Sequence, residues 1–142
     1  MSFLLDTNVV SELVRPRPDA GLVGWLVDLD EDRVFLSIVT LAELRYGIAR
    51  LPAGRRRRRL HDWLHGDLLQ RFAGRILPVD NDIALIWGDV TADCAAVGRP
   101  IEAMDALIAA TARVHALELV TRDARDFEGA LIPVRNPWSE AR

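Results

Sequence analysis

Short apolar runs and longer amphipathic stretches alternate along the chain. Phe3-Leu4-Leu5 is an uninterrupted apolar run ending at Asp6, the pattern of a short strand buried on both faces. Residues 8–13 start a helix that Arg15-Pro16-Arg17-Pro18 stops, because proline lacks an N–H and clashes with the preceding turn. Residues 20–28 form a second helix with Leu22, Val23, Trp25 and Leu26 on its apolar side. Val34 to Ile38 is rich in β-favouring residues and predicts a second strand. Leu41, Leu44, Ile48 and Leu51 recur at helical spacing and predict a helix over residues 41–50. Leu60, Trp63, Leu64 and Leu68 mark an amphipathic helix within residues 54–72. A strand over 75–79, a helix over 81–97 stopped by Gly98 and Pro100, an alanine-rich helix over 104–115, and strands over 117–121 and 131–135 complete the pattern.

Strands separated by helices predict a three-layer α/β/α domain around a parallel sheet of about five strands. Sites in such sheets form at the carboxyl ends of the strands, which is where chemistry is to be sought.

The length, 142 residues, suits one domain spanning 1–142, and a 50% hydrophobic content with 27% charged residues supports a core rather than disorder. The net charge of -3 argues against a general nucleic-acid coat protein, but a site built to hold metal is itself acidic. All 18 basic residues are arginine, which removes every mechanism that needs a catalytic lysine. The lone Cys94 excludes an internal disulfide and a cysteine metal site, and reads as a small core residue. The apolar start is too short for a signal peptide and no run approaches membrane-spanning length, so a cytoplasmic protein without a membrane partner is expected.

Four acids lie where a strand has just ended or a helix is beginning: Asp6, Glu43 in the first turn of its expected helix, Asp105 opening the alanine-rich helix, and Asp123 after the fourth strand. Each has an ordinary explanation. Glu43 can close a capping box with Thr40, Asp105 can favour the positive end of a helix, and Asp6 and Asp123 can be turn residues. Together, in a doubly wound sheet, they can meet at one edge. Converging carboxylates with no lysine among them repel, and a divalent cation removes that cost. Oxygen donors without histidine or cysteine favour Mg²⁺, with Mn²⁺ as a substitute, over zinc. His61 and His65 have a zinc-compatible spacing, but the sequence offers them no third ligand and they read as surface residues.

The segments Leu4 to Leu13, Ser37 to Ile48, Met104 to Ala112, and Thr121-Arg122-Asp123 with Asp126-Phe127 resemble PIN-domain proteins. More narrowly they resemble the VapC toxins of bacterial toxin–antitoxin pairs, in the FitB-like branch, which the closing Asn136-Pro137-Trp138 also fits. The resemblance covers nearly the whole chain, with the motifs in order. It implies a PIN fold, a Mg²⁺-dependent endoribonuclease (a hydrolase), a VapB-type antitoxin partner, and a homodimer or higher toxin–antitoxin assembly on operator DNA. By position, Asp6, Glu43, Asp105 and Asp123 match the family's acidic quartet, and Asn8 and Thr121 its supporting polar residues. Many relatives carry asparagine at the Asp123 position and rely on the acid at the Asp126 position; this chain has both. The expected chemistry has Asp6 and Asp105 on the metal, Asp123 on it directly or through water, and Glu43 holding a metal-bound water or helping take its proton.

Arg55-Arg56-Arg57-Arg58-Arg59 is the one dense basic stretch, either a solvated helix start or an RNA phosphate contact. Arginines there oppose the helix dipole, so a compensating anion is expected, from RNA or an acidic partner. The four tryptophans read as core or interface, and the apolar side of the early helices as a groove for an antitoxin helix or a dimer contact. A phosphoryl-transfer domain also puts an aspartate after the first strand. It needs a lysine, and the phosphatase type needs a second aspartate where Asn8 stands. A PIN module that binds without cutting is disfavoured by acids at all four positions.

Overall fold

The computed structural model describes residues 1–141. Five strands form the core sheet: β1 (Phe3–Leu5), β2 (Val34–Ser37), β3 (Ile76–Leu77), β4 (Glu118–Val120) and β5 (Val134–Arg135). All pair in parallel, in the order β3-β2-β1-β4-β5. The helices are α1 (Thr7–Leu13), α2 (Ala20–Val27), α3 (Ile38–Ala49), α4 (Arg55–Asp62), α5 (Leu69–Arg71), α6 (Asn81–Ala96) and α7 (Ala103–Val114). The expected three-layer α/β architecture is present.

The period-two alternation of a strand divides the core. Phe3, Leu5, Val34, Leu36 and Val120 face one cluster, with Val9, Val10, Leu22, Leu44, Leu64 and Leu68. Leu4 and Leu119 face the other, with Ile83, Val90, Cys94, Ile108 and the alanines of α7. Small residues on α7 let it lie close to the sheet; Ala106, Ala109 and Ala110 are fully buried.

Several boundaries differ from those the sequence predicts. Helix α3 begins at Ile38, not Leu41, because the Ser37 hydroxyl accepts from Val39 N at 3.0 Å and caps it. Thr40 is therefore no cap, and Glu43 sits in the second turn. The stretch predicted as one helix over 54–72 changes phase in a π-helical turn at Trp63–Leu68 before α5. Asp105 is the third residue of α7, whose cap is Glu102, accepting from Met104 N. Three short 3₁₀ segments, Glu31–Arg33, Ala124–Ala130 and Ser139–Ala141, carry no apolar periodicity the sequence could show. Among the described residues, no helix is long and apolar enough to cross a membrane.

Candidate active site

Sheet order reverses between β1 and β4, and the crevice at the carboxyl ends of these strands is the natural place for a site. Asp6 leaves β1 and caps α1: its Oδ1 accepts from Thr7 N at 2.8 Å. Its Oδ2 accepts from the Thr121 hydroxyl at 2.8 Å, just beyond β4. Asn8, the second residue of α1, spans the crevice. Its Nδ2 donates to Thr121 Oγ1 and Asp123 Oδ2, both at 3.1 Å, and its Oδ1 accepts from Arg122 N at 3.2 Å. Glu43 reaches in from α3, where its Oε1 accepts from the Thr7 hydroxyl at 2.6 Å. The Thr40 hydroxyl lies 3.1 Å from that of Thr7 and, with the Thr7 proton on Glu43, is the donor of this pair.

Asp6, Glu43, Asp105 and Asp123 thus line one open cleft of about 420 Å³ with Thr7, Asn8 and Glu12. Burial is the main force on two of them. Asp6, 5% exposed, has its carboxyl pushed up to about 6. Desolvation raises it, the Thr121 and Thr7 donors pull it back, and the charges of Glu43 and Asp123 push it further. Asp105 is pushed up to about 7, by desolvation first and then by the charges of Asp6, Glu102, Glu43 and Asp126. Asp126 therefore acts on Asp105 by its charge, but it does not line the cleft.

The donor set is oxygen throughout, which suits a hard divalent cation. Among the described residues, no three His, Cys, Asp or Glu side chains are already drawn tightly enough together to hold one. Asp6 and Glu43 are each anchored by a threonine hydroxyl. Burial raises the carboxyls of Asp6 and Asp105 with no positive charge among the influences on either, and a cation supplies what these two acids lack.

The two histidines of the α4 stretch stack on each other, with ring centres 4.1 Å apart, and have no third ligand among the described residues. Arg55, Arg58 and Arg59 line a different depression, beside Leu13, Val14 and Trp63. Their helix starts at Gly54 without a side-chain cap. Next to it, Val10, Leu13, Val23, Leu26, Trp63 and Leu68 line an apolar groove between α1, α2 and the α4–α5 stretch. Sequence reasoning did not single out Thr7, Glu12, Arg15 or Arg122, which also line the acidic cleft. The hydroxyl of Thr7 beside Asp6 was a usable signal; Glu12 depends on how α1 packs, and Arg15 and Arg122 on the path of the chain after α1 and β4.

Comparison with known proteins adds lineage to this geometry. The PIN domain family model matches residues 3–130. Toxin FitB of Neisseria gonorrhoeae is 44% identical over 137 residues, covering 96% of this chain and 99% of the relative. VapC ribonuclease Y4jK of Sinorhizobium fredii is 41% identical over 138 residues, covering 97% and 99%. Among solved structures, a chain of FitAB bound to the IR36 DNA fragment superposes with a TM-score of 0.91 at 43% identity, covering 96% of this chain and 95% of that one.

Proposed function

The chain belongs to the PIN-domain family, and on that premise we propose that it is a Mg²⁺-dependent endoribonuclease and the toxin of a toxin–antitoxin pair. The observation that carries the reading is the convergence of four carboxylates from four separate segments at the β1/β4 crevice, two of them pushed towards neutrality. PIN-domain ribonucleases are metal-dependent in general; the choice of Mg²⁺ rests on the oxygen-only donor set, with Mn²⁺ as the substitute.

Asp6, Asp105 and Asp123 are the residues to hold the ion, with Glu43 at its edge, and Asp126 biases Asp105 from outside the cleft. When bound, the ion lowers the pKa of a water and neutralises charge gathering on the scissile phosphate. Glu43 accepts the proton of the attacking water. Thr7 occupies its Oε1, which leaves Oε2 for that proton and fixes the direction in which it points. Asn8 and Thr121 keep Asp6 and Asp123 in register across the crevice.

Thr121→Val removes the hydroxyl that donates to Asp6 and accepts from Asn8, and it is expected to weaken Mn²⁺ binding by about 10- to 100-fold. Titration calorimetry reads this directly, and an unchanged affinity would mean the hydroxyl only braces the strand end.

The antitoxin is proposed to occupy the apolar groove between α1, α2 and the α4–α5 stretch, and the arginine run beside it to meet acidic partner residues or RNA phosphate. A homodimer, and assembly with the antitoxin on operator DNA, follow from the same reading. The deciding experiment incubates the antitoxin-free protein with total bacterial RNA, in Mg²⁺ and in EDTA. Fragments that form only with Mg²⁺ and carry 5′-phosphates and 3′-hydroxyls are expected. A 2′,3′-cyclic phosphate would show that the RNA's own hydroxyl attacks and would overturn the mechanism.

A further inference from the structure

We propose that Arg122 is the residue by which the site grips the RNA backbone, held ready by the chain's C-terminal segment; this rests on the nuclease reading above. An acidic cleft repels the polyanion it must admit, and among the described residues the cations along its lining are Arg15 and Arg122. Arg15 is committed: its Nη1 lies 3.3 Å from Oε1 of Glu12, a buried carboxylate that also accepts from Asp19 N. Moving Arg15 onto a phosphate would leave a buried charge short of a partner. Arg122 has no such duty. Its Nε donates to Glu140 at 2.7 Å, and Glu140 is 58% exposed, so water takes over readily when the pair opens.

The surroundings hold Arg122 in place. Its N–H donates to Asn8, the same side chain that ties Asp123 to Thr121, so the arginine is registered directly to the acids. Its carbonyl accepts from Asn136 Nδ2 at 3.2 Å. The guanidinium lies over the ring of Trp138, 5.9 Å from its centre, and that ring is 2% exposed. Beyond Trp138, Ser139 N and Oγ donate to Asp19 Oδ2 at 2.9 and 3.2 Å, which clasps the C-terminal segment to the start of α2. The clasp is tight: a Cβ on Gly21 would stand 2.7 Å from Ser139 N. Glu140 is thus an internal stand-in for a phosphate. Incoming RNA displaces its carboxylate and takes the two-pronged donor face of the guanidinium.

The test measures binding of a single-stranded RNA oligonucleotide to the full chain, with Asp6→Asn added throughout so that nothing is cut. Arg122→Ala is expected to weaken binding by about tenfold and to lower the slope of affinity against salt by about 0.7, one phosphate contact. Arg122→Lys should recover part of the affinity, and Glu140→Gln should tighten binding by freeing the arginine. On the cleaving protein, Arg122→Ala should raise KM more than it lowers kcat. Unchanged affinity and slope in Arg122→Ala overturn the proposal. So does weaker binding in Glu140→Gln, which would make the pair a mere brace of the C-terminal segment. If the unmodified protein cuts no RNA yet Arg122→Ala still costs affinity and slope, the nuclease reading fails and the assignment of Arg122 stands.

Discussion

Replacing Asp6 or Asp105 by asparagine is expected to cut the rate of RNA cleavage by about a thousandfold or more, the size of losing several kcal/mol of charge stabilisation at the reacting phosphate. The fold should survive. Asparagine keeps an acceptor for the Thr7 N–H that starts α1. It also removes a carboxylate that burial and the charges of Glu43 and Asp123 already disfavour in its ionised form. Metal-free Asp6→Asn should therefore be at least as stable as the parent at neutral pH. Cleavage kinetics beside thermal denaturation by circular dichroism decide the matter. A folded variant with parental activity would remove Asp6 from the chemistry, and collapse of both variants would make these acids structural. Asp123→Asn should cost far less, because Asp123 is exposed and asparagine can still accept from Asn8.

The second large effect is the dependence of stability on pH and metal. Burial pushes the carboxyls of Asp6 and Asp105 up to about 6 and about 7 in the folded state, from an ordinary 3.8. A raised acid keeps its proton in the folded state while the unfolded chain has lost it. Its contribution is full below the unfolded value and is lost as pH rises through the folded one. The metal-free protein should thus lose stability between about pH 4 and pH 7. Asp19 and Glu140 are lowered, so their contributions are present above the unfolded values and fade only as pH falls below that window. Mg²⁺ should reverse the loss. At a hundred times its Kd it adds about 2.7 kcal/mol, a rise in Tm of about 9 °C for a chain of this length. The gain should vanish near pH 5, where the ligands take up protons. Thermal scans from pH 5 to 8 with Mg²⁺ and with EDTA read this out. A gain that does not change with pH would place the ion elsewhere.

Much of the domain was legible along the chain. The apolar run at Phe3-Leu4-Leu5, the stripe of Leu41, Leu44 and Ile48, and the alanine-rich α7 each state their own secondary structure, because burial on one or both faces imposes a period. The start of α3 was not legible: Ile38 and Val39 are β-branched and extend the strand pattern, and only the Ser37 cap turns them into helix. The π-helical turn was hidden for the opposite reason, since Leu60, Leu64 and Leu68 keep a four-residue spacing straight through it.

At the site, the resemblance to PIN-domain proteins supplied Asn8 and Thr121, and the residues by themselves marked Asp6, Glu43, Asp105 and Asp123 as acids at element ends. That much is local chemistry, since a carboxylate beside a strand end or in a helix near its start is visible within a few residues. The strand order belongs to the tertiary structure. It sets β1 against β4, so that Asn8 reaches Thr121 across 113 positions of sequence. It also buries Asp6 and half-buries Asp105, lines the cleft with Glu12 and Arg15, and folds the last residues back to place Glu140 against Arg122. Strand pairing and desolvation are non-local, and neither has a value until the chain has closed on itself.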